Sequence, residues 1–396
     1  MRIQITRETK IPDKYKLARF SKSPELGPKI LFFSGGTALR DVSRKIIKYT
    51  HNSIHLITPF DSGGSSAVLR EAFKMPAIGD IRNRLMALAD QSIKGNPEIY
   101  KLFSHRLPKD SAPDALEKEL YSMLRGRHPL VAAVPDPMRK IIRHHLEVFA
   151  ENMPNDFNLH GASIGNLVLA GGYLENKEHI DPVIYIFSKL VEVRGIVRPI
   201  INTDMHLAAR LDNGQTIVGQ HLLTGKEAPR LKNKIREIYL VNELRNPVPA
   251  IPVIRHKIKK KILDTDLICY PVGSFFSSVI ANLLPKGVSN AIGESKCPKV
   301  FIPNTAPDPE CHAMTLTEQL RHLMHVLLKN CDDKFSNGDL LNFIILDHDF
   351  SLYPGNINKS ILIQFGIEII ECDLVTDQSK PFIDPEKLCA ALLSLC

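Results

Sequence analysis

The chain has 396 residues, 44% of them hydrophobic and 24% charged, which is ordinary for a soluble globular protein and enough for one large α/β domain or two modest ones. Its formal net charge is +8, which is compatible with a preference for anionic ligands. The seven cysteines are odd in number, are scattered and include no Cys-x-x-Cys pair, which argues against a disulfide framework and a structural zinc site.

Part of the positive charge is concentrated in the run 255–261, Arg-His-Lys-Ile-Lys-Lys-Lys. A nucleic-acid-binding surface would interleave basic residues with aromatic ones on one face. This run has no aromatic residue, and the chain has no Trp. We therefore predict a solvated helix face here and no nucleic-acid partner.

Hydrophobic segments long enough for targeting or insertion are missing from the sequence. The first ten residues are polar and lack an apolar signal core, and no apolar stretch approaches the length of a membrane span. We therefore expect a cytoplasmic protein with no membrane partner.

The first predicted elements alternate between strand and helix. Residues 1–28 are interpreted as an N-terminal extension. The elements predicted after it are a strand over Lys29–Phe33, a helix over about Ala38–Tyr49, a strand over Ile54–Thr58, a helix over about Ser66–Phe73 and another helix after Asp80. This alternation predicts a parallel sheet with right-handed crossovers.

The middle of the chain is predicted to be a helical insertion over about residues 97–155, because its leucines recur on one face. Two more helices are expected over Gly161–Leu174 and Pro182–Val193. Beyond them, Asn213-Gly214 lies between two alternating runs and predicts a β-hairpin. The later predicted elements are strands over Ile235–Val241, Leu267–Tyr270, Val300–Ile302, Phe343–Leu346 and Ile367–Ile370, and a helix over Thr315–Leu328.

These elements predict an α/β, Rossmann-like three-layer fold with a mainly parallel sheet, helical insertions and a β-hairpin. We assign residues 29–396 to a single domain.

Glycine-bearing turns follow two of the predicted strands. Ser34-Gly35-Gly36-Thr37 comes after the first, and Asp61-Ser62-Gly63-Gly64-Ser65-Ser66 comes after the second. A strand that ends in Gly-Gly and then starts a helix presents backbone N–H groups at the carboxyl edge of a sheet, where phosphates bind. Thr37 could donate its hydroxyl to a ligand or cap the next helix. The alternative is a tight turn without a ligand.

Asp61 is the candidate catalytic and metal-binding residue. A carboxylate at a strand end can hold Mg²⁺, a ribose hydroxyl or the attacking hydroxyl of an acceptor. The alternative is that Asp61 caps the helix that starts near Ser65. Gly63 and Gly64 suit a close approach of the backbone to a phosphate, and capping is the ordinary role for Ser65 and Ser66.

A third turn, from Gly79 to Asn83, opens another predicted helix, with Asp80 as its expected N-cap. A solvent-facing Arg82 in the first turn opposes the helix dipole, so we expect it to meet an anionic partner. Asn83 belongs to the same segment.

Two further sites lie later in the chain. Asn166, beside Gly165 in an apolar helix, is either a satisfied core amide or a ligand contact. Gly273-Ser274 follows a later strand and precedes a helix, so this turn could hold the second phosphate of a diphosphate.

Together these motifs resemble the 2-phospho-L-lactate transferase (CofD-like) family, which includes a nucleotide-sugar-binding gluconeogenesis-factor branch. The resemblance is carried over about residues 29–330 by a set of motifs in the same order: Gly-Gly-Thr at 35–37, Asp-x-Gly-Gly-Ser-Ser at 61–66, Gly-Asp-x-Arg-Asn at 79–83, Gly-x-x-x-Gly-Asn-Leu at 161–167, Gly-Ile-Val-Arg-Pro at 195–199, and Gly-Ser at 273–274 with Asn304. The variant motifs look most like the GAK-system subgroup, named for its occurrence beside an ATP-grasp enzyme. Where the family often has a second Asp, this chain has Ser62.

The resemblance implies a transferase that moves a phosphorus-containing group from a nucleoside-diphosphate-activated donor to an acceptor hydroxyl, with Mg²⁺. Asp61 would orient or deprotonate the acceptor or hold the metal. The turns at 34–37, 63–66 and 273–274 would bind the nucleotide and its phosphates. The residues that the resemblance assigns to the substrate are Asp80, Arg82, Asn83, Gly165, Asn166 and Asn304.

Two alternatives stay open at this point. The chain could be a non-catalytic regulatory protein that binds a nucleotide sugar, as one branch of the family does. It could also be a scaffold for the neighbouring ATP-grasp enzyme, with which the resemblance implies a functional link. Expected ligands are phosphorylated small molecules or nucleotides, and a homodimer is a further expectation.

Overall fold

The computed structural model describes residues 8–92, 95–225, 228–355, 357 and 359–396. Within these ranges, ten strands form two sheets. The strands are β1 (Ile30–Ser34), β2 (Ile54–Ile57), β3 (Ile196–Pro199), β4 (His206–Leu211), β5 (Thr216–Val218), β6 (Ile235–Val241), β7 (Leu267–Tyr270), β8 (Lys299–Phe301), β9 (Phe343–Leu346) and β10 (Glu368–Glu371).

Helices fill most of the connections between the strands. They are α1 (Lys14–Lys22), α2 (Arg40–Ile46), α3 (Gly64–Phe73), α4 (Gly79–Ala87), α5 (Pro97–Ser104), α6 (Pro113–Leu124), α7 (Pro129–Ala132), α8 (Met138–Asn152), α9 (Ile164–Glu175), α10 (Ile180–Leu190), α11 (His256–Leu263), α12 (Val288–Glu294), α13 (Leu316–Lys329), α14 (Asn337–Leu340), α15 (Lys359–Gln364) and α16 (Pro385–Ser394). A π-helical turn covers Phe275–Val279.

The main sheet has seven parallel strands in the order β10-β9-β8-β7-β1-β2-β3. The strand order reverses beside β1, which pairs with β2 on one side and with β7 on the other. In open α/β sheets, ligands bind at the carboxyl ends of the strands at such a switch point. The predicted α/β fold with a mainly parallel sheet is confirmed, and its topology indicates where a ligand site would lie.

The two faces of the sheet bury two separate hydrophobic clusters, because successive side chains of a strand point to opposite faces. In β1, Ile30 and Phe32 belong to one cluster, whereas Leu31 and Phe33 belong to the other. The first cluster includes side chains of α2 and of α5 to α10, and the second includes the small sheet and α11 to α14. The sheet is thus the middle layer of three.

The second sheet is small and antiparallel, with the order β5-β4-β6. Asn213 and Gly214 form the turn between β4 and β5, so the predicted β-hairpin is confirmed. β6 pairs with the other edge of β4 and extends the hairpin to three strands.

Helices α5 to α8 occupy the segment for which we predicted a helical insertion. The longest of them, α8, packs along α9, and the rings of Phe103 in α5 and Phe187 in α10 stack with centroids 4.3 Å apart. Because α9 carries Asn166, these helices support one side of the candidate site.

The N-terminal segment that we interpreted as an extension contains α1, which packs against α16 near the other end of the chain. The ammonium group of Lys16 donates hydrogen bonds to the carbonyl oxygens of Ser394, at 2.8 Å, and Cys396, at 2.7 Å. Residues 1–7 lie outside the described residues. Among the helices described, none combines the length and the apolar character that a membrane crossing requires.

Candidate functional site

The carbonyl oxygens of the turn after β1 accept hydrogen bonds from a buried arginine. Nη2 of Arg84, a fully buried side chain in α4, donates to the carbonyl oxygens of Gly35 at 2.8 Å and Gly36 at 3.2 Å. Among the described residues, no hydrogen bond is donated by the amides of Gly35, Gly36 or Thr37. The turn therefore has backbone donors available for an anion. Thr37 does not cap the next helix, because the N-cap of α2 is Leu39.

Asp80 lies against this turn. A Cβ built at Gly36 would stand 2.0 Å from Asp80 Oδ1, and one built at Gly35 would stand 3.4 Å from Oδ2. The prediction that Asp80 is an N-cap was wrong, because α4 begins at Gly79 and its N-cap is Ile78. From the first turn of α4, the Asp80 carboxylate instead reaches the glycines that follow β1.

Asp61 orders the turn after β2. Its Oδ1 accepts a hydrogen bond from the Gly63 amide at 3.1 Å, whereas Oδ2 accepts none among the described residues. Helix α3 begins at Gly64 and its N-cap is Gly63, so neither Asp61 nor Ser65 and Ser66 cap it, contrary to those alternatives. One oxygen of Asp61 thus holds the turn, and the other is available to a ligand.

The Asp61 turn also accepts hydrogen bonds from Arg70, a residue that the sequence analysis did not assign to the site. This side chain is only 3% exposed and donates from Nη1 to the carbonyl oxygens of Phe60 and Asp61 at 3.3 and 3.1 Å. It also pairs with Asp204 at 2.5 Å. The segment 204–206, which leads into the antiparallel sheet, therefore helps to position the candidate catalytic loop.

Ser62, next to Asp61, faces away from solvent. Its hydroxyl is 2.8 Å from Nδ1 of His221 and accepts from the His221 amide at 3.3 Å. The position at which the family often has a second acidic residue is therefore occupied by a buried hydroxyl that is engaged with His221, in the short 3-10 turn after β5.

Helix α9 brings Gly165 and Asn166 to the turn after β2. Asn166 is 1% exposed, its Nδ2 donates to Ser65 Oγ at 3.0 Å, and its Oδ1 is buried without a partner among the described residues. A Cβ at Gly165 would stand 2.8 Å from the carbonyl oxygen of Phe103 and 2.9 Å from Cδ of Arg82. The unsatisfied amide oxygen distinguishes Asn166 from a satisfied core amide.

Arg82 is buried rather than solvent-facing, so that part of the prediction was wrong. It is 7% exposed and donates to the carbonyl oxygen of Phe103 at 3.3 Å, to Ser163 Oγ at 2.9 Å and to Asn83 Oδ1 at 2.6 Å. Burial, together with the charge of Arg106, lowers the pKa of Arg82 to about 10. Arg82 is therefore a desolvated cation at neutral pH.

A cavity of about 220 Å³ adjoins the Gly36-Thr37 turn, and four arginines line it. Its lining includes Gly36, Thr37, Arg40, Arg44, Arg82, Asn83, Tyr100 and Arg106. Sequence reasoning missed Arg40, Arg44, Tyr100 and Arg106. The only sequence signal was the proximity of Arg40 and Arg44 to the glycine turn, because Arg106 arrives from the helical insertion. Four cations beside unpaired amides favour an anionic ligand.

The turn after β7 differs from the prediction of a second phosphate site. Asn304 accepts from the Gly273 amide at 2.9 Å and donates to the Gly273 carbonyl oxygen at 2.7 Å. Asp308 Oδ2 accepts from the Phe275 amide, and Glu310 Oε2 accepts from the Ser277 amide, both at 2.7 Å. Burial and the neighbouring Asp308 raise the pKa of Glu310 to about 7. Three amides of this turn are thus engaged within the protein, which counts against a phosphate there.

Asn304 contributes to the site by fixing the backbone of Gly273, because its side-chain amide bonds both the N–H and the carbonyl oxygen of that residue. Ser274 precedes the π-helical turn and accepts from the Ser278 amide at 3.0 Å through its carbonyl oxygen. A Cβ at Gly35 would stand 2.4 Å from Ser278 Oγ. The turns after β1 and β7 are therefore in contact, as the switch point predicts.

Comparison with known proteins agrees with this architecture. The chain is 30% identical to a putative gluconeogenesis factor of Thermoanaerobacterium thermosulfurigenes, over 93% of this chain and 97% of that protein. It is 29% identical to the gluconeogenesis factor of Bacillus subtilis, over 93% and 98% respectively. A crystal structure of a UPF0052 family member from Bacillus halodurans has the same fold, with a TM-score of 0.66 at 22% identity, over 93% of this chain and 99% of that chain.

The sequence pattern of the family described as 2-phospho-L-lactate transferase CofD matches residues 30–366, which is most of the chain. That match begins at β1 and includes every candidate site residue. The chain therefore belongs to the CofD family.

Proposed function

We propose that this protein is a transferase that moves a phosphorus-containing group from a nucleoside-diphosphate-activated donor to an acceptor hydroxyl. The proposal rests on two features that lie side by side at the switch point of the sheet. The backbone amides of residues 35–37 donate no hydrogen bond among the described residues, and the cavity beside them is lined by four arginines. Such groups bind a diphosphate and stabilise the charge that develops during phosphoryl-type transfer.

The carboxylates near the turn fit a Mg²⁺ ion that is bound mainly through its ligand. Asp61 offers an unengaged Oδ2, and Asp80 lies beside the glycine turn. Mg²⁺ usually takes one or two carboxylates from a protein and completes its shell with phosphate oxygens and water. Asp61 and Asp80 would hold the ion, and the ion would neutralise phosphate charge. A Mg²⁺ ion at this position would also explain how the carboxylate of Asp80 can lie next to a turn that binds an anion.

Asp61 is the residue that we assign to the acceptor as well. Its Oδ1 is held by the Gly63 amide and its backbone is held by Arg70, so the free oxygen has a restricted position. A carboxylate fixed in this way can accept a hydrogen bond from an attacking hydroxyl and orient it. Asn166 Oδ1, which is buried and has no hydrogen-bond partner within the described part of the chain, would accept a hydrogen bond from a ligand hydroxyl or amide.

A turnover assay with guanosine and uridine diphosphate-linked donors tests the proposal. Purified protein is incubated with donor, Mg²⁺ and a panel of hydroxyl acceptors, and release of nucleoside monophosphate is followed by chromatography. The proposal expects release that depends on the acceptor and is lost in Asp61→Asn. Asp333→Asn, which changes an exposed carboxylate between α13 and α14, is the matched control and should keep full activity. Tight binding with the donor recovered intact would contradict the transferase function.

The second candidate is a non-catalytic regulatory protein that binds a nucleotide sugar. Two observations favour it: relatives over nearly the whole chain are named gluconeogenesis factors, and Ser62 supplies no second carboxylate to the site. The same assay separates the two functions, because this candidate expects saturable binding of a uridine diphosphate sugar without acceptor-dependent release. A functional link to an ATP-grasp enzyme is also a proposal, to be tested by co-purification of the two proteins.

A further inference from the structure

Two histidines and one glutamate meet in the helical segment that covers α9, away from the glycine turns. His105 follows α5, Glu119 lies in α6, and His128 is the N-cap of α7. Glu119 Oε1 is 2.8 Å from His105 Nε2 and 3.7 Å from His128 Nε2. One ligand atom from each of the three side chains lies within 4.8 Å of the other two. Three separate elements therefore converge on one point.

An ordinary ion pair does not account for this arrangement. One carboxylate oxygen serves two imidazoles, and within the described part of the chain no Lys or Arg is paired with Glu119. An imidazole nitrogen that carries no proton has a lone pair that can bind a cation.

We propose that His105, Glu119 and His128 form a binding site for a first-row divalent transition-metal ion. Two imidazole nitrogens and one carboxylate oxygen are the donor set of three-ligand Zn²⁺ sites, and the 2-His-1-carboxylate set also binds Fe²⁺. The same set does not suit Mg²⁺, which prefers oxygen ligands only. This site is therefore distinct in chemistry from the magnesium site that we assign to Asp61 and Asp80.

Two of the three ligand–ligand distances need only small adjustments, and the third, between the two imidazoles, is within 4.8 Å. Two ligands of a tetrahedral Zn²⁺ lie about 3.3 Å apart, given metal–ligand distances near 2.0 Å. The His105–Glu119 distance of 2.8 Å must open slightly, and the His128–Glu119 distance of 3.7 Å must close slightly. The three side chains are 28%, 24% and 17% exposed, so water can reach a fourth coordination position.

One hydrogen bond to His128 opposes metal binding and must break when the metal ion binds. The Leu130 amide donates to Nδ1 of His128 at 3.3 Å. When Nε2 binds a metal, Nδ1 carries the ring proton and can no longer accept this bond. The lost bond is long and caps a helix of four residues, so its loss weighs little against a new metal–ligand bond.

The expected consequence is a link between helices and the anion cavity. The ion would join α6 to the end of α5 and the start of α7. The residue after His105 is Arg106, which lines the arginine cavity and donates to the carbonyl oxygen of Gly161 at 3.0 Å. Binding would therefore restrain one of the four cavity arginines without contacting the ligand itself.

Zn²⁺ titration of the full-length protein, stripped of metal and kept reduced, tests the proposal by calorimetry. We expect one equivalent to be lost, or its affinity to fall at least about tenfold, in His105→Gln, Glu119→Gln and His128→Asn. His128→Asn keeps a residue type that caps helices well, which separates metal binding from folding. His144→Ala is the matched control, because His144 pairs with Glu175 at 3.5 Å on an exposed face of α8. Mg²⁺ in excess should not compete.

The cysteines are the main competing ligands, and Co²⁺ absorption distinguishes them. Co²⁺ bound by nitrogen and oxygen shows weak visible bands, whereas thiolate binding adds strong charge-transfer bands in the near ultraviolet. The proposal is overturned if bound Co²⁺ shows thiolate bands only, if the three variants bind as much Zn²⁺ as the wild type, or if none of Zn²⁺, Co²⁺ and Fe²⁺ binds. Thermal melts of metal-free variants must match the wild type; if one variant unfolds, the remaining two decide.

Discussion

Asp80 and Gly36 are in such close approach that no side chain fits between them: a Cβ at Gly36 would stand 2.0 Å from Asp80 Oδ1 and 2.7 Å from its Cγ. The two residues belong to different βα units, since Gly36 follows β1 and Asp80 lies in the first turn of α4. This contact places a carboxylate beside the amides that we assign to phosphate. The glycine is therefore required by the protein's own carboxylate, and the phosphate that we propose would add a second constraint.

Gly36→Ala is expected to displace Asp80 and to weaken Mg²⁺-dependent nucleotide binding by at least about tenfold, or 1.4 kcal/mol. The loss of stability should stay within about 1–3 kcal/mol, since Asp80 can rotate away at the cost of local strain. Calorimetry and a thermal melt measure the two effects. At Gly338 a Cβ would meet only Ser336 Oγ, at 4.0 Å, so Gly338→Ala should change neither. If wild type and Gly36→Ala bind the nucleotide equally well, the turn after β1 is not part of the binding site.

Arg84→Lys is expected to lower the free energy of unfolding by about 3 kcal/mol. Arg84 is fully buried and donates to Ser43 Oγ and to the carbonyl oxygens of Leu39, Gly35 and Gly36. A lysine keeps the charge but cannot reach these acceptors together, so some stay buried and unpaired. Urea unfolding measures the loss. Arg125→Lys, at an exposed position, should differ from wild type by less than about 0.5 kcal/mol.

Arg40→Ala and Arg44→Ala should weaken nucleotide binding while leaving the unfolding free energy nearly unchanged. Their side chains are 49% and 41% exposed, and within the described residues their ion pairs are with Asp41, which is also exposed, so their contribution to stability is small. Arg44 also donates to the Tyr100 hydroxyl at 3.5 Å. Their charge at the cavity should matter more for an anion, and its effect should shrink as salt rises. Binding measured at low and high ionic strength checks this. A salt-independent loss would indicate a structural role instead.

Stability should fall as the pH drops from about 6.5 towards 4. Burial, with Arg70 nearby for His206 and His325 nearby for His322, lowers the pKa of both His206 and His322 to about 4. In that interval the unfolded chain binds protons that the folded chain does not, so acidification favours unfolding. Each group contributes at most about 1.4 kcal/mol per pH unit.

Urea unfolding at several pH values between neutrality and pH 4 measures this slope. His322→Phe should flatten it, because a phenyl ring fits beside Phe275 and Phe276 and does not titrate. An identical slope in the variant would mean that the pKa of His322 is the same in the folded and the unfolded protein, which would contradict the prediction.

Local sequence signals predicted most of the sheet and the hairpin correctly. β1, β2 and β7 are short apolar runs next to turn residues, and Asn213-Gly214 marks the hairpin, so these elements depend on neighbouring residues only. β3 was not predicted as a strand, because Ile196–Pro199 is four residues long and contains an arginine and a proline. It becomes a strand by pairing with β2 at the edge of the sheet.

The sequence by itself determined the glycine turns, the order of the strands along the chain and the family to which they belong, because these follow from adjacent residues. Only the tertiary structure decided how the turns are used. Packing buried Arg82 and Arg84 and brought Asp80 to Gly36. It also supplied hydrogen-bond acceptors for the amides at and after Gly273, from Asn304, Asp308 and Glu310. Such contacts join residues that are distant in the chain. Whether a backbone amide remains available to a ligand therefore depends on which side chains the fold places beside it.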